Sequence, residues 1–186
     1  MIVSIPNPVL VNPAKTVIKI DKKVKKIIKK LKKDLENAKN PKGVGLAAPQ
    51  IGVSLQIFAA KPDSNSDISI FINPEIIWKS ENLTEIKRPR KSKKNTKSEK
   101  KLEGCLSIPN IWGYLKRSDK VRLKYMSEDG QLHEEEFSDF MATIIQHETD
   151  HLKGVLFTQR VLEQNQKLYS IEQDKKGEDE LIEVEI

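Results

Sequence analysis

The sequence is poor in the residues that most often carry chemistry: it has one cysteine, three histidines and 5% aromatics among 186 residues. A single cysteine excludes an internal disulfide framework, and with it the small secreted scaffolds that depend on one. No apolar run approaches the roughly 20 residues needed to span a bilayer. The opening MIVSIPNPVLVNPAKTV has no basic region followed by an apolar one, so no signal peptide is expected. These absences predict a soluble intracellular protein with no membrane partner. A chain of this length makes one compact domain. Charged residues at 32% against apolar residues at 37% predict that parts of it stay outside the core.

The net charge of +6 is unevenly distributed. DKKVKKIIKKLKK, from Asp21 to Lys33, holds eight lysines. Its apolar Val24, Ile27, Ile28, Leu31 and Leu35 keep the spacing of one helix face, with Asp21 as N-cap and Asn40-Pro41 closing the segment. The face is that of any docked surface helix; the lysines also suit a polyanion such as RNA, or a membrane surface. KRPRKSKKNTKSEKK (87–101) has nine basic residues and no large apolar one, so it reads as a mobile insertion, able to grip phosphates or simply to be solvated. The sign reverses in EQDKKGEDELIEVEI (172–186), with seven acidic groups. Residues 171–186 read as an acidic tail, and the alternation Leu181 to Ile186 as a short edge strand or a frayed end.

Strands are predicted at Leu55–Ala60, Ile68–Ile72, Ile76–Trp78 and Lys120–Tyr125, with Asn73-Pro74 and Asp129-Gly130 as turns. Asp129-Gly130 leads into a hairpin partner, Gln131–Phe137. A helix follows, capped by Ser138 or Asp139 and stopped by Gly154, and a second is expected near Arg160–Ser170. Short hairpin-connected strands with helices, without regular strand–helix alternation, predict an α+β fold over a single domain, residues 1–170.

The first of these two helices carries His147-Glu148-Thr149-Asp150-His151, an HExxH motif. Histidines four apart share a helix face, so both imidazoles can reach one metal ion with Glu148 beside it as proton carrier. Chance pairing on an amphipathic helix is the plain alternative. Phe140, Met141, Ile144 and Ile145 bury this helix, and a buried histidine pair needs a partner, which a metal supplies. A catalytic centre of this kind wants a third protein ligand. Cys105, His133, Glu163 and Glu172 are the candidates: thiolate chemistry favours Cys105, and a carboxylate would instead make a zincin-like metallopeptidase.

Three segments, Gly43–Gln50 (GVGLAAPQ), Glu103–Ser107 (EGCLS) and Gln146–Leu152 (QHETDHL), resemble the three signature motifs of peptide deformylases, in that family's order. The opening Ile5-Pro6-Asn7-Pro8-Val9-Leu10 is similar to its first segment. The resemblance spans about residues 1–165. It implies antiparallel sheets around a central helix carrying the HExxH motif, and removal of the N-formyl group from the initiator methionine of new proteins. It implies Cys105, His147 and His151 as metal ligands, Glu148 as general acid/base, and Gln50 with the Leu106 N–H as oxyanion donors. It implies Val44, Gly45 and Leu46 as the edge that binds the peptide, with Val44, Phe140 and Ile144 around the methionine side chain. The family's usual ion is Fe(II), with Zn, Ni or Co able to replace it, and its place is the bacterial cytoplasm or an organellar matrix or stroma. Where the family often has an arginine that holds the peptide, this chain has Trp112; Arg117 matches a later basic residue. Nascent chains emerge from an RNA-rich ribosome, so ribosome contact through 22–33 and 87–101 is expected. A catalytically inactive ribosome- or RNA-binding relative is the other reading.

Overall fold

The computed structural model describes residues 1–86, 88, 102–173 and 179–184. The basic run 87–101 therefore lies outside the described residues except for Arg88.

The lysine-rich segment forms α1 (Lys22–Asn37), and Asp21 caps it by accepting the Val24 N–H at 2.9 Å. Val24, Ile27, Ile28, Leu31 and Leu35 are all buried on one face. That face lies on a five-stranded antiparallel sheet in the order β1 (Gly45–Ala47), β2 (Ile57–Ala60), β3 (Ser69–Lys79), β8 (Lys120–Met126), β9 (Leu132–Ser138). The other face of the sheet receives α2 (Asp139–Leu152), which packs against β1, β2, β3, β8 and β9. Alternation along the strands sorts the two cores. Ile57, Ala59, Ile70 and Ile72 join the α1 side, whereas Phe58, Ala60 and Phe71 join the α2 side with Phe140, Ile144 and Ile145. A strand covered on both faces must be apolar throughout, which explains the unbroken Ile57–Ala60 run.

β3 corrects the reading of Asn73-Pro74 as a turn between two strands. The strand runs straight through it, and the register against β8 slips between Ile72 and Glu75. Asn73 takes a positive φ of 49°, a conformation asparagine tolerates, and its side chain bonds Val17 twice. Its Oδ1 accepts the Val17 N–H and its Nδ2 donates to the Val17 carbonyl, both at 2.8 Å. The turn chemistry is real, but it builds a bulge that pins the N-terminal segment.

A second sheet holds β5 (Leu102–Cys105), β6 (Ile108–Tyr114), β10 (Leu168–Gln173) and β11 (Asp179–Val184), ordered β11-β10-β6-β5. Two short strands, β4 (Leu83–Thr84) and β7 (Arg117–Ser118), pair separately. The helix expected over Arg160–Ser170 is instead α3 (Phe157–Glu163), followed by β10. Leu168 pairs with Gly113, whose missing side chain makes room for Leu168 and for Val161 of α3; this long-range packing overrides local helix pattern. The acidic tail placed from residue 171 likewise begins inside β10, and β11 pairs with that strand along its whole length.

The two faces of α1 make opposite predictions. Leu31 is fully buried, so Leu31→Ala should cost about 2–5 kcal/mol. Lys29→Ala on the exposed face should stay within about 0.5 kcal/mol. Urea denaturation of both variants measures this, and equal destabilisation would contradict the amphipathic packing.

Candidate metal centre and catalytic cleft

Cys105 ends β5 where the ladder with β6 slips: Gly104 opposes Trp112, but Cys105 opposes Ile108 across the Leu106-Ser107 turn. This turn aims the thiol at α2. Cys105 Sγ lies 3.1 Å from His151 Nε2, and it also receives the Ser107 N–H and the Gln50 Nε2, each at 3.4 Å. The ligand atoms of Cys105, His147 and His151 lie within 4.8 Å of one another, the one such group of three among the described residues. His133 is elsewhere, stacked on Tyr125, and Glu163 pairs with Arg160 at an exposed site. Glu172 is exposed on β10. The structure thus brings Cys105 to the histidine pair and leaves the zincin-like reading without its carboxylate.

The donor set fits a divalent cation. Burial raises the Cys105 pKa, but His151 and His147 outweigh it and bring the thiol down to about 5, so the sulfur is a thiolate. Burial presses His147 toward neutrality, yet Cys105 and Glu103 hold its pKa well above the ordinary value. Negative charge therefore faces the gap between these atoms, where a divalent cation would take the place of the proton. His147 Nδ1 lies 2.6 Å from Glu103 Oε1; a carboxylate can only accept there, which leaves Nε2 as the ligand nitrogen.

Glu103 is held in turn by Arg117. Arg117 Nε and Nη2 donate to Glu103 Oε2 and Oε1 at 2.9 and 2.7 Å, and Nη1 donates to Asp150 Oδ2 at 2.9 Å. Arg160 closes the far side on Asp150 Oδ1 at 3.0 Å. Burial alone would raise the Glu103 pKa, but Arg117 and His147 keep it well below the usual range. The strand that carries the thiolate and the helix that carries the imidazoles are joined by this guanidinium.

Glu148 is 3% exposed, and its Oε2 has no hydrogen-bond partner among the described residues. Burial lifts its pKa to about 7 against the opposing pull of His147 and His151. A Cβ on Gly45 would overlap the Glu148 carboxylate and Ile144, so β1 can approach the helix only at a glycine. Gln50 sits on a 3₁₀ turn (Ala48–Ile51) directly after β1. Its Oε1 accepts the Ala47 N–H at 2.7 Å, which turns the amide NH₂ toward Cys105.

These groups line one cleft of about 720 Å³, in which Val44, Gly45, Gln50, Leu106, Phe140, Ile144, His147 and Glu148 all take part. Leu46 does not line it. Its side chain is fully buried in the α1 core, so only its backbone belongs to the β1 edge. A buried thiolate, the His147 imidazole, a carboxyl with a raised pKa and a fixed amide donor in one cleft, with His151 buried behind the thiolate, can activate water against a carbonyl.

The family model for polypeptide deformylase matches residues 1–167. The chain belongs to that family. It is 42% identical over 153 residues to a peptide deformylase from Pseudothermotoga lettingae, covering 81% of this chain and 76% of the relative. Against peptide deformylase 1 of Bacillus cereus it is 38% identical over 160 residues, covering 86% and 90%. The crystal structure of peptide deformylase from Thermotoga maritima superposes with a TM-score of 0.72 at 34% identity, over 87% of this chain and 96% of that one. The family fold of antiparallel sheets around a helix is therefore the fold of this chain.

Glu103 and Asp150 lie inside the motifs, but their spacing from the histidine pair assigns them no role. One signal was there: Glu103 stands two residues before Cys105 on a strand, so both side chains leave the same face. Arg117, 7% exposed and fully engaged by carboxylates, is unavailable to a peptide. Arg117→Leu leaves buried Glu103 with only His147 and Asp150 with only the part-exposed Arg160, and should cost about 3–5 kcal/mol. Arg117→Lys should recover only part of it, because one ammonium cannot reproduce a fork that spans Glu103 and Asp150. Thermal denaturation with metal analysis of each purified variant measures this; full rescue by lysine would show that charge alone matters.

Proposed function

We propose that this protein hydrolyses the N-formyl group of newly made polypeptides, releasing formate and a free methionine amine. The observation that carries the reading is the convergence of the Cys105, His147 and His151 ligand atoms at a cleft lined by Cys105, His147, Glu148 and Gln50. Cys105, His147 and His151 would hold a divalent cation, which would supply Lewis-acid activation to the attacking water. Glu148 takes the proton of the attacking water and delivers it to the departing amine nitrogen as the C–N bond breaks. A carboxyl with a pKa near 7 suits both halves of that transfer. The Gln50 amide and the Leu106 N–H donate to the formyl oxygen as it gains negative charge, and the Gln50 amide is held in place before substrate arrives.

Substrate backbone lies along the β1 edge at Val44 to Leu46, with the methionine side chain among Val44, Phe140 and Ile144. All but Leu46 line the cleft. Fe(II) is the proposed physiological ion. The same sulfur and two nitrogens can hold Zn, Ni or Co, and availability selects among them. The proposed place of action is the bacterial cytoplasm or an organellar matrix or stroma, and among the described residues no helix is long and apolar enough to cross a membrane. Ribosome contact is proposed through the exposed lysines of α1 and the basic run 87–101. Equal co-sedimentation with ribosomes after neutralising both segments would remove that part.

Anaerobically prepared protein should release formate from formyl-Met-Ala-Ser with close to one metal per chain. Glu148→Gln should keep the metal and lose about 100- to 10,000-fold in kcat, whereas Cys105→Ser should lose the metal itself. A fully metallated wild type that releases no formate would overturn the reading.

A further inference from the structure

One segment outside the cleft is bonded to all three parts of the site. Val3 N–H donates to the Gln50 carbonyl at 2.8 Å, Ile5 N–H to the Ser107 carbonyl at 3.1 Å, and Ala14 N–H to the Leu152 carbonyl at 2.9 Å. Gln50 bears the amide donor of the cleft, Ser107 directly follows Leu106, and Leu152 directly follows His151. None of the three donating residues lines the cleft. The Gln50 turn follows β1 of the first sheet, and the Leu106-Ser107 turn joins β5 to β6 of the second. Among the described residues no main-chain hydrogen bond joins these two turns directly, so the segment is their main-chain link. It is anchored independently of those bonds. Leu10 is fully buried on a 3₁₀ turn (Pro8–Leu10), where Asn7 accepts the Val9 N–H at 3.1 Å. Gly154, just past α2, has a φ of 72°, and a Cβ there would come within 2.8 Å of main-chain atoms of Val11 and Asn12. The helix end therefore receives the segment at a glycine. Ile5 is 45% exposed, so its N–H rather than its side chain fastens it to the Leu106-Ser107 turn.

We infer that residues 3–14 are a positioning strap for the reaction, in which the Val3 and Ile5 amides set the spacing between the Gln50 and Leu106 donors. Donors to a developing oxyanion act over a narrow range of distance, and a misplacement of about 1 Å can cost about 100-fold in rate. These two donors approach one oxygen from different sheets, so their spacing depends on whatever ties the sheets together at that point. Peptide binding, proposed along β1, does not need that spacing. Loosening the strap therefore weakens the transition state more than the bound substrate, and the loss falls on kcat rather than KM. The inference rests on the deformylase reading and deepens it by adding positioning residues that touch neither substrate nor metal.

Val3→Pro removes one of the two N–H groups, whereas Val3→Ala keeps it. A chain with residues 2–4 deleted, so that Met1 joins Ile5, loses the same bond without a proline and decides the matter if Val3→Pro does not fold. With rates on formyl-Met-Ala-Ser normalised to bound metal, Val3→Pro and the deletion should lose about 10- to 100-fold in kcat, with KM within about twofold. Val3→Ala should stay within about twofold of wild type in both. In the zinc-loaded protein, nitrogen-15 NMR should show the Gln50 side-chain amide and Leu106 N–H signals displaced by Val3→Pro and by the deletion, but not by Val3→Ala. Equal kcat in Val3→Pro and Val3→Ala, or a loss carried wholly by metal content or by KM, overturns the strap. A wild type that releases no formate would overturn the deformylase reading instead. The NMR comparison would still decide the strap, since unmoved Gln50 and Leu106 signals overturn it.

Discussion

Everything at the metal centre depends on one buried cation. Arg117 reaches Glu103 on β5 with two nitrogens and Asp150 on α2 with the third. Without it, Glu103 would keep only His147 and Asp150 only the part-exposed Arg160, and the strand and helix would lose their direct charged link. The gain from attraction between buried charges is largely spent on desolvating them. What the network secures is geometry. Cys105 lies two residues beyond Glu103, and Asp150 stands between Glu148 and His151, so fixing the two carboxylates fixes the ligands beside them. Glu103 then orients the His147 ring through Nδ1. A site made of one sulfur and two nitrogens from distant parts of the chain gains its precision from this chain of contacts.

The rest of the fold holds these two pieces still. α2 is backed by a sheet whose other face is covered by α1, so the ligand helix rests on a layer that is itself buried on both sides. This arrangement separates two properties that overlap in the sequence. The lysines of α1 contribute strongly to the positive charge, but they stand on the outer face of a helix whose inner face is only a packing surface. Charge and chemistry sit in different layers.

Legibility follows the range of the interaction. His147 and His151 could be read because helical spacing alone puts them on one side, and the stripe of α1 for the same reason. Cys105 could be ranked but not chosen, since its approach to the helix depends on a register slip between β5 and β6. Gln50 has no periodic signature and came from resemblance to a family motif. Two errors share a cause. Asn73-Pro74 has the composition of a turn, and the segment after Arg160 has the composition of a helix. In both, pairing with a distant strand decided otherwise: β8 carries β3 past the bulge, and β6 with Gly113 draws Leu168 into a ladder. Local chemistry proposes a conformation, and long-range pairing settles how it is used.

The same logic reaches the acidity of Glu148. A glutamate on an exposed helix turn would ionise in the ordinary range. Here β1 passes directly over it, excluding water on that side, and burial raises the pKa to about 7 although two imidazoles oppose the shift. The strand can come that close only because residue 45 has no side chain, since even a methyl group would occupy the space of the carboxylate. The glycine therefore sets the position of the proton carrier and also its proton affinity. The strand edge that passes over Glu148 is the edge proposed to hold the peptide. Bringing the substrate backbone to the carboxyl and drying the carboxyl are one structural act, and neither could be tuned without moving the other.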